Sequence, residues 1–197
     1  MAKIGLSKPY YAIYSNSGNT VTYSNGGSMG KAIDVDVSID TADDNNLYAD
    51  NSVAETDRTF GSGTVSLNTD DLSHDVSKAI LGLHEESITG ITGITDTSPK
   101  ELIYDDRQVT PYLGIGFIIK KRVGGVDAWR AVVLRKVMFS VPSDAATTQG
   151  ESIEWQTPTV EGTIMRDDST YHAWKSETTL STEAQAEAYI KSKLSIT

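Results

Sequence analysis

The chain contains no cysteine, which excludes a disulfide scaffold, a thiolate metal site and a thiol nucleophile. Long apolar runs are also missing. No stretch approaches the ~18 residues that a membrane-spanning helix needs, and the N-terminal MAKIGLSKPYYAIYS has no apolar core of signal-peptide length. The expectation is a soluble protein made in the cytoplasm, with no membrane insertion. Positive charge is in short supply, with 17 Lys and Arg against 27 Asp and Glu and a net charge of −10. Wrapping nucleic acid requires a basic face, so the balance argues against that role. An acidic surface suits a protein past which nucleic acid slides without sticking. Histidine is scarce too. His74, His84 and His172 include no i, i+4 pair of the zinc-helix type, so solvated or structural roles are expected. There is no Gly-x-Ser-x-Gly nucleophile elbow, no Gly-Lys-Ser or Gly-Lys-Thr phosphate loop and no solenoid repeat. Neither a catalytic site, a metal nor a cofactor is expected.

What the chain does have is β pattern. The segment Thr110 to Val141 places two apolar arms on either side of Gly124-Gly125, a pair that can supply both positive φ angles of a tight hairpin turn. On the first arm Leu113, Ile115, Phe117 and Ile119 share a face. Tyr112, Gly114, Gly116, Lys120 and Arg122 share the other, with Ile118 the exception. The return arm puts Trp129, Ala131, Val133, Val137, Phe139 and Val141 on one side, and Arg130, Val132, Leu134, Lys136, Met138 and Ser140 on the other. Both arms are long and apolar on two faces. That predicts one face in the core and a second against something else, with a partner subunit as one candidate.

Lys31 to Asp40 alternates most clearly. Ile33, Val35, Val37 and Ile39 predict a buried side; Asp34, Asp36, Ser38 and Asp40 predict a solvent side. Residues 41–61 read as a long loop or arm with room for a brief strand, and a connection of this length is usually functional. Shorter strands are expected at Lys8 to Ser15, Thr20 to Tyr23, Thr64 to Leu67, Glu101 to Tyr104, Glu151 to Met165 (broken or bulged at Pro158) and Tyr171 to Trp174. Ser24 to Ser28 reads as a turn. A helix is expected over 70–82, with Leu72, Val76, Ala79 and Ile80 as its stripe, Asp70 or Thr69 as cap and Gly82 as stop. A terminal helix is expected over 182–194, where Thr182 and Gln185 are spaced for a capping box and Ala186, Tyr189, Ile190 and Leu194 share a stripe. These elements predict one mainly β domain over 1–197, a sandwich or barrel with a packed α-helix and a C-terminal helix.

Two features point to function from the residues alone. The row Asp34, Asp36 and Asp40, followed by Asp43 and Asp44, is a solvated acidic face, an acidic wall facing a channel, or a source of calcium oxygens. Calcium is disfavoured because the glycine and terminal glutamate of an EF-hand loop are missing and a straight strand sets Asp34 and Asp36 ~7 Å apart. Trp129, Trp155 and Trp174 are core or interface residues, or a carbohydrate platform, so a calcium- or carbohydrate-binding β-sandwich module stands as the alternative.

The segment LYADNSVAETDRTFGSGTVSLNTDDLSHDVSKAILG, residues 47–82, resembles the phage major tail proteins that build the tail tube of long-tailed siphophages. The order agrees: an acidic strand, Leu-Tyr-Ala-Asp-Asn, Ala54-Glu55-Thr56-Asp57, a Gly-rich strand, then Asp-Asp-Leu and a helix ending near Gly82. Tyr112 to Lys121 with Trp129 to Phe139 resembles that family's central hairpin, and EWQTPTVEGTI, Glu154 to Ile164, its late strand. The resemblance covers about residues 1–195. It implies a tail-tube-like fold, no enzymatic activity, and hexameric rings that stack into a tube through which phage DNA passes without specific binding. The tube protein of a related secretion or contractile apparatus is the nearby alternative. Implied partners are further copies of the chain and the tail tape measure, tail terminator and distal tail proteins, with a location in the virion tail. The extra C-terminal immunoglobulin-like domain of some relatives is expected to be absent. On this resemblance Asp34, Asp36 and Asp40 become candidate lumen residues. Candidates for contacts between subunits or stacked rings are Asp43, Asp44, Leu47, Tyr48, Asp50, Asn51, Lys120, Lys121 and Arg122.

Overall fold

The structure, a computed structural model, describes residues 2–41, 45–57, 59–96, 99–143, 146–148 and 156–197. In chain order the strands are β1 (Ala2–Ser17), β2 (Thr20–Ser28), β3 (Ala32–Thr41), β4 (Asn45–Ala49), β5 (Ser52–Asp57), β6 (Phe60–Thr69), β7 (His84–Ser87), β8 (Lys100–Ile103), β9 (Leu113–Val123), β10 (Val126–Phe139), β11 (Thr159–Met165) and β12 (Lys175–Leu180). The helices are α1 (His74–Leu81) and α2 (Glu183–Lys193). The protein is mainly β. One antiparallel sheet runs β2-β1-β9-β10-β11-β6-β3, with β12 added on β10. The sheet curls until Cα atoms of β3 and β1 come within 8 Å, although the two strands are not hydrogen-bonded. The result is an incompletely closed barrel. Its interior holds Leu113, Ile115, Phe117, Val132, Leu134, Val65, Leu67 and Ile164, with Val35, Val37 and Ile39 packed against them.

α1 covers one end of this interior with Val76, Ile80 and Leu81. It starts later than its pattern predicts. Ser73 is the cap, its hydroxyl accepting from the Val76 amide at 3.4 Å. Asp70 is diverted: its carboxylate takes the amides of Lys31 at 2.7 Å and Asp71 at 3.0 Å, fastening the chain to the start of β3. Gly82 ends the helix at φ 67°, and a Cβ there would sit 2.0 Å from the Val109 carbonyl oxygen. Both the left-handed backbone and the close approach require glycine.

The two-sided hydrophobicity of the β9–β10 hairpin has its explanation within the chain. α2 lies on the outer face of β9 and β10 and forms a second core with Ala12, Tyr14, Tyr23, Ile118, Ala131 and Val133, into which Ala186, Ile190 and Leu194 are fully buried. The helix can approach because the strands present small residues to it. A Cβ on Gly116 would stand 2.4 Å from Ile190 Cγ2, and one on Gly114 would stand 2.6 Å from Leu194 Cδ2. Burying Ile190 and Leu194 contributes roughly 1.5–3 kcal/mol each. A partner subunit is therefore not needed to explain this second apolar face. The cap is as expected in its first half, Thr182 Oγ1 accepting from the Gln185 amide at 3.3 Å, while the Gln185 side chain accepts instead from Ser181 Oγ at 2.9 Å.

Several boundaries differ from the sequence pattern. β10 does not keep one face throughout: its register against β9 shifts between Leu134 and Val137. Val133 consequently faces α2 while Val137 and Phe139 enter the barrel, because a bulge inserts one residue and reverses the alternation. β2 runs on through Ser24–Ser28 by means of a similar irregularity opposite Tyr11–Ile13, with Asn25 at φ 49°. The last strand is β12, Lys175–Leu180, and not Tyr171 to Trp174. Its KSETTL sequence lacks an apolar alternation, and it is held by main-chain pairing with Trp129–Leu134. β7, likewise polar, pairs with β8. The strand expected from Glu151 begins at Thr159 among the described residues, and its first part, including Trp155, lies outside them.

α2 is also anchored by charge. Glu187 pairs with Lys8, accepts from the Tyr10 hydroxyl at 2.7 Å and meets Lys191 at 3.2 Å. The Lys8 hydrogen bond, then that of Tyr10, lowers the Glu187 pKa to about 2. Burial, then the bond to Glu187, pushes the Tyr10 hydroxyl up to about 12. A carboxylate whose folded pKa is depressed stabilises fully above its unfolded value and loses that contribution as pH falls through the folded value. Chemical denaturation at a series of pH values should therefore show a loss of stability between about pH 4.5 and 2 that is smaller in Glu187→Gln. Gly116→Ala should cost about 1–3 kcal/mol by overpacking. Adding Ile190→Leu, which removes the offending Cγ2, should recover part of that loss.

Candidate assembly surface

The 41–61 segment contains the clearest unpartnered feature among the described residues. β4 and β5 form a hairpin that pairs with no other strand among the described residues. Asp50 and Asn51 make its turn, at φ 50° and 61°, a conformation that Asp and Asn tolerate better than most residues. Leu47, Tyr48 and Val53 are 59%, 66% and 49% exposed. An isolated two-stranded hairpin is marginal in water. One carrying three uncovered apolar side chains is better suited to lying against another surface. The expected arm is thus a hairpin. Asp43 and Asp44 lie outside the described residues.

β3 is an edge strand, hydrogen-bonded among the described strands only to β6. Asp34, Asp36, Ser38 and Asp40 point to solvent and Val35, Val37 and Ile39 point inward, as the alternation predicts. Ile33 is the exception. A register shift between Ala32 and Asp34 leaves it 51% exposed instead of buried. The three aspartates stand in a row along one edge. Among the described residues no three His, Asp or Glu side chains converge as metal ligands.

The Lys120-Lys121-Arg122 run is not one patch. Gly124 and Gly125 make the tight turn at φ 57° and 84°. Strand alternation then places Lys120 and Arg122 on the α2 face and Lys121 on the barrel face. Lys120 and Arg122 both bind Asp127 of the same hairpin, at 2.7 and 2.6 Å, and Lys120 lies 5.5 Å above the Trp129 ring. Arg122 first and Lys120 second lower the Asp127 pKa to about 2. These two cations already share a carboxylate within their own hairpin, which weakens their expected role as an inter-ring contact. Lys121 differs. Burial, then repulsion from Arg130, lowers its pKa.

Lys121 belongs to a group that sequence reading missed. Near the hairpin tip the barrel is open, with a cleft of about 190 Å³ between β3 on one side and β9, β10 and β12 on the other. Val35, Val37, Ile39, Phe117, Ile119 and Val132 supply its apolar lining, and Lys3, Arg130, Lys175 and one carboxylate, Asp36, complete it. Lys121 pairs directly across from Lys3 on the same face. Glu177 answers two of these cations, Arg130 and, at 2.6 Å, Lys175. Lys175 is the main cause of its lowered pKa. Arg130 Nε is buried without a hydrogen-bond partner among the described residues. The four cations come from four strands, so no local spacing could reveal them.

The other candidates are occupied structurally. Trp174 stacks on Phe60 at 4.8 Å, and Trp129 packs beside the α2 core, so neither offers a free sugar platform. His74 and His84 lie 3.5 Å from Glu85 and Glu86 respectively, on separate carboxylates. Lys136 sits over the rings of Tyr14 and Tyr112 and binds Asp168 at 2.7 Å. Tyr14 donates to the same carboxylate, and burial first raises its own pKa. These contacts fasten the 167–172 turn to the sheet. No protein-family model matches the chain, and no curated protein matches its sequence.

Leu47→Ser with Tyr48→Ser should alter stability by no more than about 0.5 kcal/mol, as for other exposed positions. A cooperative loss of several kcal/mol in denaturant would place the hairpin in the subunit core instead.

Proposed function

We propose that the protein is a structural subunit that acts by self-assembly, closing into hexameric rings that stack into a tube, like the phage major tail proteins that its sequence resembles. The observation that carries this reading is the β4–β5 hairpin, whose Leu47, Tyr48 and Val53 are exposed and which pairs with no other strand among the described residues. The unpaired edges of β2 and β3 support it. Long open edges invite strand addition, and ring closure removes them. The row Asp34, Asp36 and Asp40 suits a lumen wall, where carboxylates repel the phosphates of DNA in transit. On this reading the protein performs no chemistry, resides in the virion tail and meets the tape measure, terminator and distal tail proteins.

Electron microscopy of the purified protein, alone and with its tail partners, should show rings or tubes. Persistence as a monomer under all these conditions would end the proposal. Asp34→Lys with Asp36→Lys should leave the monomer folded while reducing DNA delivery. Full infectivity of particles built from that variant would place this face away from the lumen.

A further inference from the structure

We propose that the β4–β5 hairpin of one copy docks in the basic cleft of the adjacent copy in the same ring, an inference that rests on the self-assembly reading above. The two surfaces are complementary. Residues 41–61 carry Asp43, Asp44, Asp50, Glu55 and Asp57 against a single base, Arg58. The hairpin displays Leu47, Tyr48 and Val53 beside the exposed carboxylates of Asp50 and Glu55. The cleft offers the converse, an apolar lining and a volume of about 190 Å³, with Lys3, Arg130 and Lys175 outnumbering its one lining carboxylate, Asp36. It has room for a large apolar side chain, with cations placed to meet flanking carboxylates. Its rim is incompletely satisfied. Among the described residues Lys3 and Lys121 have no ion-pair partner, and Arg130 Nε has no acceptor.

Position decides which neighbour is meant. β3 and β6 pair Ala32 with Thr69 at the end that leads to α1, and Thr41 with Phe60 at the other end. The arm leaves from the Thr41–Phe60 end. The Lys3–Lys121 pair and the Gly124-Gly125 turn lie at that same end of β1 and β9. Arm and cleft therefore open at one level of the barrel, which favours a side-by-side partner over one stacked end to end. The five residues of β4 give a reach of roughly 17 Å. A hairpin passed to a neighbour's cleft is a heterologous contact, and such contacts close into rings when the rotation allows. Strand edges alone leave the subunits free to slide in register, whereas an anchor in a pocket fixes it.

The absence of native cysteine permits a direct test. Tyr48→Cys and Lys3→Cys are made as separate full-length variants, mixed, assembled and oxidised. Disulfide-linked dimers containing one of each should form well above the level given by Tyr48→Cys with Lys193→Cys on α2. Assembly without that excess would overturn the docking inference and leave self-assembly standing. No assembly under any condition would remove both. A chain carrying both cysteines that links only within itself would show that the arm fills its own cleft, also overturning the inference. As a second measurement, Glu55→Lys and Lys3→Glu should each raise the concentration needed for assembly by roughly threefold, as expected for a rim ion pair. The two together should recover most of that loss, and additive weakening would count against contact between the two residues.

Discussion

The close seating of α2 on β9 and β10 is the contact on which the rest of the subunit depends. Gly114 and Gly116 keep the strand surface low enough for Ile190 and Leu194 to reach it, and Ala12 and Ala131 widen the floor. Once the helix is down, β1, β9 and β10 are buried on both faces and become the rigid spine of the molecule. Glu187 fixes the helix along its axis through Lys8 and Tyr10. The barrel interior is then built against the inner face of that spine, with β6 and β11 opposite and α1 closing one end.

What is left outside this double-layered spine is where assembly features lie. β3 sits at the edge, held by β6 on one side and turning its aspartates to solvent. The β4–β5 hairpin follows β3 in the chain and has no partner strand among the described strands of the sheet. The cleft is the place where curling of the sheet stops short of closure, so β3 approaches β1 without bonding to it. An open barrel end with an apolar interior would ordinarily admit water. Here Lys3, Arg130 and Lys175, together with Asp36, put charged groups in its lining.

Charge is distributed in a way that the net value of −10 conceals. Several cations of the chain are paired locally: Lys120 and Arg122 share Asp127, Lys78 and Lys100 share Glu85, and Lys136 meets Asp168. The acidic excess is displayed along β3 and the arm. The cleft keeps an excess of positive charge on a molecule that is acidic overall. Opposite signs on two separate surfaces of one chain favour ordered contact between copies, because like surfaces repel and unlike surfaces attract.

The sequence by itself determined the local elements whose signal repeats along the chain. The outward face of β3, the glycine turn of the β9–β10 hairpin, the Gly82 stop of α1 and the Thr182 cap of α2 are each written in adjacent or regularly spaced residues. The aspartate row and the arm were legible for the same reason. Polar β7 and β12 were not, since main-chain pairing and ion pairs with residues of other elements hold them without an apolar alternation. Nor was the reversal of faces in β10, because a bulge shifts the alternation without a distinctive residue to mark it. Only the tertiary structure decided what covers the second face of the hairpin, since Gly116 and Ile190 lie far apart in the chain. It also split Lys120, Lys121 and Arg122 between two faces and gathered Lys3, Lys121, Arg130 and Lys175 from four strands. Periodicity reports which side of an element is apolar; what that side meets depends on how the sheet curls and where the last helix comes to rest.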